Sequence, residues 1–159
     1  MPDPNWYPQQ ADLERKVGGG SNLAQIANAV YGSAGFIAFV DSCLAVGRGA
    51  VRQSVEVKHE PETIDTLDTE TTISIRRAAT VKAAEAAWND GTGDLALPDK
   101  LAAEIAAMNS YLEEIATGHK RLGRAAGFPG AALGQPVGVV NYDPQGCQIS
   151  INGFKRGFR

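Results

Sequence analysis

The chain has 159 residues and a mass of 16.8 kDa, enough for one compact domain of roughly 100–150 residues and too little for two full cores. Its net charge of −3 hides a division: residues 124–159 carry Arg124, Lys155, Arg156 and Arg159 against Asp143, leaving 11 basic and 17 acidic side chains, a net −6, on residues 1–123. An acidic body argues against a nucleic-acid reader, whose affinity comes from Lys and Arg displacing counterions from phosphates.

Hydrophobic residues make up 43% of the chain, many of them alanine, which favours helices packed closely at small side chains. The sequence has no run of roughly 18 consecutive apolar residues, and MPDPNWYPQQ has neither the basic nor the apolar region of a signal peptide. The expectation is a protein made in the cytoplasm, with no membrane partner. Cys43 and Cys147 lack CxxC spacing and a neighbouring His cluster, so both are expected as reduced, unpaired thiols.

In chain order, Pro2, Pro4 and Pro8 around Trp6 and Tyr7 prevent a helical start, and residues 1–10 are expected as an extended arm. A short helix fits 9–17, stopped by Gly18, Gly19 and Gly20, and a second, capped by Ser21, runs to residue 30. Ser33 can cap a longer helix in which Phe36, Val40, Leu44, Val51 and Val55 recur at helical intervals. Within it Gly47 and Gly49 each cost about 1 kcal/mol relative to alanine, and so mark a kink or a close approach by another backbone. Residues 56–71, EVKHEPETIDTLDTET, are acidic and broken by Pro61, which predicts an exposed loop.

A helix over 72–89 follows, with Ile75, Ala79, Ala83 and Ala86 along one side and Val81, Ala84 and Trp88 beside them. DGTG at 90–93 should end it. Pro98 and Asp99 open the last helix. There Leu101, Ile105, Met108, Leu112 and Ile115 form one stripe, with Lys100, Glu104, Glu113 and Glu114 on the other side. Gly118 should close it, with His119, Lys120 and Arg121 offsetting its negative end.

The chemistry of a catalytic centre is missing from the pattern. The glycines form neither GxGxxG nor GxxxxGK[ST]. His59 and His119 lack the spacing of a metal pair, and adjacent Glu113 and Glu114 point about 100° apart on a helix. Asp65, Asp68 and Glu70 lack the central glycine and terminal Glu of a calcium loop. No cofactor, metal or enzymatic activity is expected.

Beyond Gly123 the tail offers two extended stretches, VGVVNY and QISINGF, separated by the turn sequence DPQG. Its apolar residues are too many for a spacer and too scattered for a self-sufficient fold. Strand addition to another chain's sheet edge would cover them, with FKRGFR as a terminal anchor. Two other destinations stay open: a hairpin folded over the chain's own helices, and a basic end against nucleic acid, arginines on phosphate and phenylalanines against bases. The fold class is thus mainly α, a small bundle of about four helices with an extended, partly β C-terminal arm.

ADLERKVGGGSNLAQIAN at 11–28, ISIRRAATVKAAEAAWN at 73–89 and YLEEIATGHKRLG at 111–123 resemble the head-tail connector proteins of tailed bacteriophages, in particular the Mu-like prophage connector family. The resemblance covers residues 11–123. RQSVEVKHEP at 52–61 stands where the family has Arg-Tyr-x-x-Pro, and the tail is longer than the family's. The tail over 124–159 is read from this sequence as a docking arm, and the resemblance implies a helical connector domain over 11–123. It further implies an adaptor ring of about twelve copies in the virion neck, between the portal and the stopper or tail-terminator proteins, through which DNA passes without sequence-specific binding. The portal-docking residues would be Val137, Val139, Tyr142, Ile149, Ile151, Phe154, Lys155, Arg156, Phe158 and Arg159. The alternative is a small helical nucleic-acid-binding or packaging-associated protein, which needs a basic helix around Arg48 and Arg52, or Arg76 and Arg77.

Overall fold

A computed structural model of the chain describes residues 4–92 and 97–125, and the strand backbones at 141–142, 148–151 and 154–157. The fold is mainly helical: α1 (Gln10–Val17), α2 (Gly20–Tyr31), α3 (Phe36–Glu56), α4 (Thr69–Thr92) and α5 (Asp99–Thr117), with 3-10 turns at Ser33–Gly35 and Pro61–Thr66. The two short helices at the start bring the described number to five.

Helix α4 is the axis of the bundle, packed on by each of the other four. Ile75, Ala78, Ala79, Val81, Ala83, Ala84, Ala86 and Ala87 are all buried, so the apolar surface nearly encircles α4, as expected of a helix with neighbours around it. Its ends lie outside the sequence-based bounds. At the start the Asp68 carboxylate accepts the Thr71 N–H at 2.7 Å, a side-chain cap that begins the helix three residues early. At the far end α4 continues through Asp90 and Gly91 instead of stopping. Gly91 is buried against α2, and a Cβ there would lie 2.1 Å from Ile26 Cγ2, so this glycine serves a close approach.

The core has two parts. Leu13, Val17, Leu23, Phe39, Leu44 and Ile105 belong to one, around α1, α2 and the start of α3; Trp6, Val51, Val55, Ile64, Leu112 and Ile115 belong to the other. Met108 of the α5 stripe touches both. Gly47 lies where α3 crosses α4, and a Cβ on it would sit 2.2 Å from the Ala79 carbonyl oxygen. Of the two explanations for this glycine, the close approach is the observed one.

The N-terminal segment is tied to the body. Trp6 is 2% exposed, its indole N–H donates to Asp65 Oδ1 at 3.2 Å, and Tyr7 packs edge-on against it with ring centroids 4.6 Å apart. Residues 56–71 also depart from the exposed-loop expectation. Glu56, Glu60, Glu62 and Glu70 are exposed, but Thr63 is buried and Ile64 and Leu67 join the second core cluster, from a 3-10 turn and the residue after it. Gly118 ends α5 with φ 81° and an N–H donated to Ile115, as the sequence predicts.

Helix α3 with the turn before it, Ser33–Glu56, is long and apolar enough to cross a membrane by length and composition, with a mean hydropathy of 1.5. The test of an unbroken apolar run misses it because Asp41, Arg48 and Arg52 interrupt the sequence. Phe39, Val40, Cys43, Leu44, Val51 and Val55 of this helix are buried in the bundle.

Candidate functional surfaces

After α5 the chain turns back onto the body. Leu67 and Arg124 form an antiparallel bridge; the Asp68 N–H donates to the Gly123 carbonyl at 3.0 Å, and the Ala125 N–H to the Thr66 carbonyl at 2.9 Å. The Gly123 N–H donates to Thr71 Oγ1 at 3.1 Å, and Arg124 to Thr63 Oγ1 at 3.2 Å. A side chain at Gly123 would collide with the Asp68 carboxylate, 1.9 Å from the added Cβ. GHKRLG therefore leads into a seam in which residues 123–125 are paired with the 66–71 segment of the body.

Of the expected docking residues, Val137, Val139, Phe158 and Arg159 lie outside the described residues, as does Cys147. The others fall on three short antiparallel strands, β1 (Asn141–Tyr142), β2 (Gln148–Ile151) and β3 (Phe154–Gly157), in that spatial order. Tyr142 pairs with Ile149, Ile149 with Arg156, Ile151 with Phe154 and Ser150 with Lys155. Within QISINGF, Asn152 and Gly153 lie outside the described residues, and Ile151 and Phe154 on either side of them are paired.

Of the four cations that a nucleic-acid reader would use, Arg48, Arg52 and Arg76 are engaged within the body, whereas Arg77 is 58% exposed. The guanidinium of Arg48 stands 5.0 Å from the Tyr7 ring centroid and that of Arg52 5.9 Å from the Trp6 ring centroid, a cation–π arrangement that fixes the N-terminal segment on α3. Arg76 donates twice to Asp12 Oδ2, at 2.9 and 2.6 Å. The Gln9 N–H donates to the same Oδ2 at 3.0 Å, and Arg15 holds the other oxygen of that carboxylate. Burial raises the Asp12 pKa, but the Gln9 N–H, Arg76 and Arg15 together outweigh it and hold the carboxyl below its ordinary value.

Glu104, expected on the outer side of α5, is half-buried and pairs with Lys16 of α1, with Arg77 4.0 Å away. The hydrogen bond from Lys16 is the main reason its pKa is lowered; burial opposes this, and the charges of Lys16, Arg77 and Lys100 add to the lowering. These ion contacts join α1 to α4 and α5 across an open groove of about 390 Å³, lined by Asp12, Arg15, Lys16, Ile73, Arg76, Arg77 and Thr80.

Two groups with reactive side chains sit inside the body. Cys43 is 1% exposed, and burial, with the charge of Asp90 adding, pushes its thiol up to about 11. That protonated, covered sulfur is a packing group at neutral pH. His59 Nε2 is buried without a hydrogen-bond partner among the described residues. Burial, then the charge of Arg124, lowers its pKa. The helix-end His119 contacts Thr117 Oγ1 through Nδ1 at 3.1 Å, and Lys120 lies over the Tyr111 ring at 5.3 Å. Among the described residues no group of three or more His, Cys, Asp or Glu side chains is placed to hold a metal ion.

Compared with protein-family models, curated proteins and solved structures, the chain gives no match.

Proposed function

We propose that this chain is a structural adaptor of the tailed-phage neck, assembled in the host cytoplasm and resident in the virion. Copies form a ring on the portal and receive the stopper or tail-terminator proteins beyond it, extending the channel through which DNA passes. The body is the ring domain, and the segment after it is an extended, partly β arm that docks on the portal. The chain works without catalysis or a cofactor.

The observation that carries this reading is a helical body that completes its own core: the helices and the N-terminal segment fill two core clusters, and the 123–125 bridge seals the 66–68 segment. Further along the chain lie three short paired strands. A three-stranded ribbon of two to four residues per strand buries little by itself, and pairing with a partner's sheet edge supplies what it lacks. The acidic body agrees with a channel that repels phosphate. A nucleic-acid reader is less well supported, because Arg48 and Arg52 face aromatic rings and Arg76 a carboxylate.

Truncation after Ala125 tests the reading. The shortened chain keeps its helical circular dichroism and thermal midpoint and loses binding to the portal of the same phage. Portal binding by the truncated chain at full-length affinity would refute the role of the arm.

A further inference from the structure

A closed ring requires two different, complementary patches on each copy, and the described surface carries such a pair. The first is the α1–α4 groove, where Arg15, Lys16, Arg76 and Arg77 meet only Asp12 and, from α5, Glu104. Asp12 is already filled by Gln9, Arg15 and Arg76. Arg15 and Arg77, with side chains 77% and 58% exposed, retain donors facing outward. Ile73, 64% exposed, lies uncovered among these cations.

The second patch is at the end of α3. Gly49, Arg52, Gln53, Glu56 and Val57 line a shallow hollow of about 400 Å³, and a Cβ at Gly49 would meet nothing within 4 Å. Val57 is 60% exposed. Glu56 and, just along the chain, Glu60 and Glu62 are exposed, and none of the three takes part in an ion pair among the described residues. Arg52, which also lines the hollow, is turned to Trp6; Arg52 and Lys58 against Glu56, Glu60 and Glu62 give this stretch of chain a net charge of −1, whereas Arg15, Lys16, Arg76 and Arg77 against Asp12 and Glu104 give the groove +2. Each patch thus has one uncovered apolar side chain edged by charges, and the charges are of opposite sign.

We infer that these patches are the two sides of the contact between copies: the groove of one copy seats on the α3 hollow of the next. Ile73 enters the space over Gly49 and Val57, and Arg15 and Arg77 pair with Glu56 and Glu60. The inference rests on the ring reading and names the contact that builds the ring. The patches share no residue, so the contact runs head to tail, leaving a groove open at one end of any chain of copies and a hollow at the other. Charge complementarity of this kind fixes register and speeds encounter, and salt weakens it.

Two full-length variants test this: a groove variant, I73E/R77E, and a hollow variant, E56K/E60K. Circular dichroism checks that each is folded; where a reversal unfolds the body, I73S/R77Q or E56Q/E60Q is read in its place. In sedimentation velocity at low salt and rising concentration, the wild type forms species larger than a dimer. Each variant alone associates about ten-fold more weakly or less. Each mixture recovers association, because one groove and one hollow remain intact; the equimolar mixture of I73S/R77Q and E56Q/E60Q, whose altered patches carry no complementary charge, yields a 1:1 dimer and stops there. Wild-type-like self-association of either variant, a mixture that stays monomeric, or a wild type that stays monomeric or halts at a dimer would overturn the inference. Imaging on the portal separates it from the ring reading: variants that still form rings there remove this contact alone, whereas wild-type copies bound singly remove both.

Discussion

Gly47 and Gly49 lie two residues apart on α3 and should respond in opposite directions to the same substitution. Replacing glycine by alanine within a helix gains about 1 kcal/mol from backbone propensity. At Gly49 the new Cβ meets nothing within 4 Å, so Gly49→Ala should realise most of that gain. At Gly47 the Cβ would stand 2.2 Å from the Ala79 carbonyl oxygen and 3.0 Å from Ala83 Cβ. That oxygen belongs to the α4 backbone and cannot swing aside. Restoring an ordinary carbon–oxygen separation of about 3.3 Å moves α3 away from α4 by about 1 Å, at the crossing that joins the two core clusters. Overpacking of this kind costs about 1–3 kcal/mol, which offsets or exceeds the propensity gain and leaves Gly47→Ala about 0–2 kcal/mol less stable. Thermal unfolding followed by far-ultraviolet circular dichroism reads both, at about 2–4 °C per kcal/mol for a chain of this size. Equal stabilisation by the two substitutions would show that α3 and α4 do not approach at Gly47.

Trp6→Ala should destabilise the body by about 3–5 kcal/mol, the usual loss for a buried tryptophan, as measured by urea unfolding; a change below about 1 kcal/mol would mean the N-terminal segment is not part of the core. Stability should fall in two stages as the solution is acidified. The His59 pKa is lowered in the folded protein, so the unfolded chain binds its proton first and stability declines as pH drops below about 6.5. Asp12 and Glu104 are lowered as well; their contribution is present above the ordinary carboxylate range and is lost as pH falls through their folded pKa values. His59→Asn should remove the upper stage alone, read as thermal midpoint against pH, and an unchanged profile would contradict the assignment. Cys43 should react with a thiol reagent only as fast as the body opens, so that urea accelerates labelling steeply; rapid labelling under native conditions would place the sulfur at the surface.

The elements legible in the sequence are those whose burial shows as periodicity. Leu101, Ile105, Leu112 and Ile115 define α5, and Val40, Leu44, Val51 and Val55 define α3, because one side of each helix meets the core and the other meets water. Helix α4 was harder to bound, since its apolar surface runs nearly all round and Gly91 has the composition of a stop while acting as a contact. Asp68 was the available signal for its start.

Trp6 was hidden because the nearby prolines describe only the local backbone, while the cavity that receives its ring is built by residues some 45 to 110 positions further along. Ile64 and Leu67 were masked by acidic neighbours and by a 3-10 spacing of three. The pairings Asp12–Arg76 and Lys16–Glu104 join residues far apart in the chain, and no local pattern announces them. The groove and the α3 hollow became visible only once those elements were brought together.

The most direct test of the adaptor reading is electron microscopy of the full-length protein mixed with the portal of the same phage. The account predicts a closed ring of copies stacked on the portal, with each C-terminal ribbon seated on a portal subunit. Unbound portal, or isolated copies attached at scattered positions with no ring, would contradict it.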